Sequence, residues 1–281
     1  MTTSPPPPLV TLAEFERACG RPLITRERFA EDVGRAVAAG SGYAAGKLGV
    51  SERAWTLLPI LESRGVGALQ LRAFEQALKV KATRQAGVFP AELDFYREFA
   101  SFYAGPLREL DCLGLSMDSF GPSLEIIRFY SLGADLIRYH DQEPDRSIPA
   151  NDELCYLPHF EGERVLLVCP FAEVLRERAT KETFEAVWAG TGKRWFEPAS
   201  VEAVEFPYGF ARETWRRFDT CLDLLDDITA RMDTHDYDVA LIAAAALGVP
   251  IASHARSRGK VGLSLGGALQ VLFGVSGSRW R

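Results

Sequence analysis

The chain lacks the short signatures that assign chemistry at sight. Its five cysteines, Cys19, Cys112, Cys155, Cys169 and Cys221, are odd in number, scattered, and never in C-x-x-C spacing. Neither a disulfide framework nor a structural zinc site is indicated, and they read as small core residues. No apolar run reaches the roughly 20 residues that a membrane-spanning helix needs. The opening MTTSPPPPLV lacks the charged-then-apolar order of a secretory signal, so a cytoplasmic location is expected. Positive charge is in deficit, 32 Lys and Arg against 38 Asp and Glu, for a net charge of -6. That argues against a broad nucleic-acid surface. A Walker G-x-x-x-x-G-K-[ST] is absent and so is G-x-G-x-x-G, which removes a P-loop nucleotidase and the usual NAD fingerprint. No G-x-S-x-G elbow is read either, Ser264 in L-S-L-G-G being taken to lack the flanking glycine, so a serine hydrolase is not expected.

What is present is a chain of 281 residues, 47% hydrophobic, able to bury a substantial core. Residues 1–20, with Pro5 to Pro8, read as a proline-rich leader, and 21–281 as a single α/β domain. Phe29, Val33 and Val37 at four-residue spacing, with Gly40 beyond, predict a helix and its stop. Gly42 to Leu48 reads as the first strand, followed by a helix carrying Trp55 and Leu58, with Ser51 as its cap. The stretch Leu69 to Tyr103 is helical, with a break near Gly87 and Pro90. Further strands are expected at Cys112 to Leu115, Ala134 to Tyr139, Arg164 to Cys169 and, at an edge, Val201 to Phe206. Trp215, Phe218, Leu222, Leu225, Ile228 and Met232 predict one long amphipathic helix.

The carboxyl-terminal stretch is the most informative. Val239 to Ala246 reads as a strand buried on both faces, with Gly248 and Pro250 opening the next helix; Val261 to Leu265 then runs into Gly266-Gly267 and a helical pattern, Ala268 to Phe273. Strands alternating with helices predict a doubly wound, mostly parallel, Rossmann-like sheet with helices on both faces. Ligands of such sheets bind at the carboxyl ends of the strands, and both glycine turns are expected there.

Four segments, K-L-G-x-S-E (Lys47 to Glu52), E-P (Glu143-Pro144), V-L-L-V-C-P-F-A (Val165 to Ala172) and the closing G-G-A-L-Q-V-L-F-G-V-S-G-S-R-W, together resemble a bacterial group similar to the GT-D fold glycosyltransferases, whose relatives lie among surface-polysaccharide genes. The resemblance implies transfer of a sugar from a nucleotide-diphosphate donor to a hydroxyl on a glycan or other polar acceptor. Its best-known members end the first strand in arginine, then glycine, then aspartate-x-glutamate, an acidic pair associated with Mn or Mg. The matching positions here are Lys47, Gly49, Val50 and Glu52, so a valine replaces the aspartate.

Glu52 is the candidate catalytic residue, as base or orienter of the acceptor; the alternative is a helix-start carboxylate held by the dipole. Lys47 and Gly49, with Gly248, Gly266, Gly267 and Gln270, are the candidate donor-binding residues. For Lys47 the alternative is an ion pair with Glu52, and for the glycines a sharp turn only. Glu143 and Asp141, in an acid-rich loop with His140 and Asp145, are candidate ligands for the divalent cation, which Glu143 would help to hold in place of the missing aspartate. His159 is read as incidental. Asp236-Tyr237-Asp238 has D-x-D spacing but precedes its strand, at the wrong edge of the sheet. Two other functions fit the same residues: a non-catalytic nucleotide or sugar-phosphate-binding scaffold, and a nucleotide-sugar hydrolase.

Overall fold

A computed structural model describes residues 11–116, 120–144, 155–191 and 193–275. Pro5 to Pro8, Asp145 and the end of the closing motif, 276–281, lie outside the described residues. Seven strands form one sheet: β1 (Tyr43–Leu48), β2 (Cys112–Leu115), β3 (Asp135–Arg138), β4 (Arg164–Cys169), β5 (Ser200–Glu205), β6 (Val239–Ile242) and β7 (Val261–Ser264). Every pairing is parallel, and the order across the sheet is β3-β2-β1-β7-β6-β4-β5. The helices are α1 (Leu12–Cys19), α2 (Arg26–Ala38), α3 (Val50–Thr56), α4 (Leu58–Ser63), α5 (Ala68–Leu78), α6 (Leu93–Arg108), α7 (Phe120–Tyr130), α8 (Ala172–Arg178), α9 (Lys181–Val187), α10 (Arg212–Arg217), α11 (Cys221–Met232), α12 (Gly248–Ser257) and α13 (Ala268–Leu272).

Period-2 alternation divides the core in two. Along β4, Leu166 and Val168 face a cluster built with α3, α6, α7, α11 and α12, whereas Val165, Leu167 and Cys169 face a second cluster built with α2, α8, α9 and α13. The same split holds in β6, with Ala240 and Ile242 on one side and Val239 and Leu241 on the other. Burial on both faces is why these strands read as continuous apolar runs, and each wholly buried Leu or Val stabilises the fold by roughly 1.5–3 kcal/mol. The sheet is therefore doubly wound, as its alternating elements predict.

Four local expectations shift. The capping box of Thr11 and Glu14 starts α1 inside the span read as leader, and Phe15, wholly buried, packs on Phe120 with ring centroids 4.8 Å apart. Gly49, not Ser51, is the N-cap of α3, because β1 turns directly into the helix. The long helix expected over Trp215 to Met232 is two helices: Phe218 is extended, and Thr220 with Asp223 forms a new capping box that starts α11. β6 stops at Ile242, since Ala245 turns to a φ of 47° and begins a short 3-10 turn.

Candidate functional site

β1 and β7 lie side by side but send their following helices to opposite faces, α3 with Trp55 into one core and α13 with Leu269 and Leu272 into the other. The crevice at such a reversal is where open α/β sheets take ligands. A cavity of about 830 Å³ occupies it, and the carboxyl end of every strand contributes: Lys47 and Gly49, Ser116, Tyr139, Pro170, Phe206, Ala243 and Ser264. That volume lies within the roughly 300–1,000 Å³ of small-molecule sites.

Six of the predicted site residues meet there: Lys47, Gly49, Glu52, Gly266, Gly267 and Gln270. Glu52 occupies the third position of α3, and its carboxylate folds back over Gly49, where an added Cβ would stand 2.6 Å from Oε2. Backbone hydrogen bonds at Glu52 and Gly49, with Arg53 and Lys47 nearby, favour the ionised form. Desolvation by burial outweighs them, and its pKa is raised above the ordinary carboxylate value. The hydroxyl of Tyr103, itself made less acidic by burial and by Glu52, is buried without a hydrogen-bond partner among the described residues.

Lys47 is 5% exposed, and burial lowers its pKa against the opposing pull of Glu143. Its ammonium pairs with Glu143, donates to the carbonyl of Leu265 at 2.8 Å and stands 4.6 Å from the centre of the Tyr139 ring. The partner is thus Glu143, and not Glu52 as the alternative reading had it. Lys47 ties the acid-rich loop to the turn after β7, and a phosphate would have to compete with Glu143 for it.

Gly266 has a φ of +57°, which suits glycine, and neither it nor Gly267 has a heavy atom within 4 Å of where a Cβ would stand. The turn presents bare backbone to the cavity, with Gln270 beside it. Gly248 does not belong to this wall. It is buried at the start of α12, where a Cβ would collide with Ser264 Oγ, so its role is close approach of helix to strand. Contrary to the expectation, Ser264 does have both flanking glycines and falls in a G-x-S-x-G spacing, Gly262 to Gly266. It is nevertheless the last residue of β7, in register with Ile242, and no histidine nitrogen hydrogen-bonds its Oγ among the described residues. An elbow serine stands on a strained turn beyond its strand, so a hydrolase nucleophile is not built here.

The acids do not assemble as the implied cation site requires. Asp141 pairs with Arg26 at 3.1 Å and Glu143 with Lys47, so each carboxylate faces a cation. Among the described residues no three His, Cys, Asp or Glu side chains are placed to hold a metal ion. A hard divalent ion takes several oxygen ligands, and Glu143 and Asp141 do not fit that role. His159 packs beneath Gly34 on α2, away from the cavity. Asp238 binds Arg164 at the amino edge, as its position before β6 requires.

Sequence reasoning missed Arg84, at the end of a π-helical turn (Lys79–Arg84), and the aromatic side chains Phe171, Tyr208 and Phe210, all of which line the cavity. For Tyr208 and Phe210 the signal was composition, aromatic residues in a glycine-bearing loop, F-P-Y-G-F, and Phe171 lies within the V-L-L-V-C-P-F-A segment; Arg84 had no signal. No known protein family, curated protein or solved structure matches the chain.

Proposed function

We propose that the protein is a glycosyltransferase, acting in the cytoplasm, that moves a sugar from a nucleotide-diphosphate donor to an acceptor hydroxyl on a glycan or other polar acceptor. The observation that carries this reading is Glu52: a half-buried carboxyl of raised pKa, in one cavity with the bare Gly266-Gly267 turn, at the carboxyl ends of a doubly wound parallel sheet. In the reaction, the acceptor oxygen forms a bond to the donor's anomeric carbon and passes its proton to Glu52. The bond from that carbon to the phosphate oxygen breaks, and the electron pair leaves with the nucleoside diphosphate. The pyrophosphate lies over Gly266 and Gly267, where backbone can approach it closely, and Gln270 offers its amide to a sugar hydroxyl. Lys47 is a positioning residue that fixes this turn through the Leu265 carbonyl. No step is routed through a divalent ion.

The test is release of nucleoside diphosphate from a panel of nucleotide sugars, with and without acceptors and with and without manganese or magnesium. Release that requires an acceptor supports transfer. Release without one identifies a hydrolase. Binding with no turnover identifies the scaffold, a reading favoured by the Glu52 carboxylate lying on its own helix start and by the pairing of Lys47 with Glu143.

A further inference from the structure

We propose that the nucleoside end of the donor has its own subsite on the β4–β5 side of the cavity: the base stacks on a shelf of Phe171, Tyr208 and Phe210, and Arg84 adds a charged contact to the diphosphate that runs from there to the Gly266-Gly267 turn. This deepens the transfer reading and rests on it for the identity of the ligand.

The rings form a row. Phe171 and Tyr208 have centroids 6.4 Å apart and planes inclined by 34°, and Tyr208 and Phe210 are 4.9 Å apart at 31°. Tyr208 and Phe210 nevertheless keep 41% and 44% of their surface exposed, on the wall of a cavity. Aromatic area left in water inside a concave site is a surface waiting for a flat partner, and every base has a π-face to offer. Arg84 stands exposed on the same wall, and among the described residues no hydrogen bond or ion pair engages it. Lys47, the other cation of the wall, is already taken by Glu143. A guanidinium presents a planar fork of donors that fits two phosphate oxygens, which makes Arg84 the available anion partner.

The backbones that carry shelf and cation are locked to each other. At Gly87 (φ +75°) an added Cβ would stand 2.9 Å from the Cα of Gly209, and at Gly209 it would stand 2.9 Å from the carbonyl oxygen of Gly87, so the two loops cross backbone to backbone. The hydroxyl of Thr214 donates to the Tyr208 carbonyl at 2.6 Å and the Trp215 indole N–H to the Gly209 carbonyl at 2.7 Å. Beside Arg84, the buried Thr83 hydroxyl donates to the Val88 carbonyl at 2.5 Å and meets the Tyr96 hydroxyl at 2.7 Å. Single π-helical turns are frequent at functional sites. Both halves of the subsite are therefore held before any ligand arrives.

Calorimetric titration of the full chain with the ribonucleoside diphosphates, with free nucleosides and with inorganic pyrophosphate separates the two contacts. Tyr208→Ala is expected to weaken nucleoside diphosphate and nucleoside about 10-fold or more while leaving pyrophosphate unchanged, since stacking carries no charge. Arg84→Gln is expected to weaken nucleoside diphosphate and pyrophosphate by about 10-fold and to leave nucleosides unchanged. Phe210→Leu provides a second test of the shelf, with the same selectivity as Tyr208→Ala, and circular dichroism checks the fold of each variant. Wild-type binding that survives all three substitutions overturns the subsite and leaves the transfer reading standing. A wild-type chain that binds no nucleoside diphosphate overturns both.

Discussion

The two edges of the sheet both pair charges, Asp141 with Arg26 and Glu143 with Lys47 at the carboxyl edge, but they differ in what is left unpaired. At the amino edge three carboxylates are matched, Asp238 by Arg164 and Lys260, Asp111 by Arg256, and Asp233 by His254 and Arg258, while burial and Asp238 raise Glu163. Hydrogen bonds from Arg164 hold the Asp238 carboxyl down at about 2, and Asp233 is lowered as well, by Arg258 and His254 against the opposing effect of burial. At the carboxyl edge, Glu52 is raised by desolvation, Lys47 is lowered by it, and Arg84 stands without a partner among the described residues. At the carboxyl edge burial works against the charged forms of Glu52 and Lys47, a perturbation of the kind that clusters at functional sites.

The largest effect that would break this contrast is on turnover. Glu52→Gln is expected to lower kcat by about 10²–10⁴-fold, the range of a lost general base, with nucleoside diphosphate affinity within a few-fold of wild type. Near-normal kcat in a steady-state assay would remove Glu52 from the mechanism. In the wild type, the acidic limb of kcat/KM should fall at a pH above the ordinary carboxylate range, because the base must be ionised and burial raises its pKa.

Next in size is Lys47→Met. It leaves Glu143 without its ammonium partner in a largely buried setting, and urea unfolding should show a loss of about 3 kcal/mol. A stability unchanged by that substitution would mean that the loop and the glycine turn are not tied through Lys47.

At the opposite edge, Asp238→Asn should cost about 1–2 kcal/mol at neutral pH, after allowance for its partial exposure. The sign follows from a folded pKa depressed from 3.8 to about 2. The stabilisation is present above the unfolded value and disappears as pH falls from 3.8 to 2, so wild type and variant should converge there in thermal melts.

The smallest effect has the opposite sign. Because the folded pKa of Glu52 is raised above 4.5, its stabilising contribution is complete below that value and is lost as pH rises through the folded pKa. Glu52→Gln should therefore raise Tm at neutral pH, and the gain should vanish below pH 4.5. A Tm lowered at neutral pH would instead make the carboxylate's hydrogen bonds to the helix start its main role.

Much of the fold was legible in the chain. Continuous apolar runs such as Val165 to Cys169 and Val239 to Ile242 mark strands covered on both sides, and glycine turns mark their ends. Where expectation failed, local chemistry had been outweighed. The apolar spacing across Trp215 to Met232 is helical throughout, yet Thr220 and Asp223 cap a fresh start. Gly248 looks like a ligand-binding turn but is filled by Ser264.

What the sequence by itself determined is the set of seven strands and the edge at which Glu52, Gly266 and Gly267 emerge, because side-chain periodicity and turn chemistry act over a few residues. Only the tertiary structure decided the partnerships. Lys47 reaches Glu143 across 96 positions and the Leu265 carbonyl across 218, and Arg84 and Tyr208 line one cavity because Gly87 and Gly209 let two backbones cross. Charge pairing and backbone crossing depend on distance in space, and the winding of the sheet sets that distance.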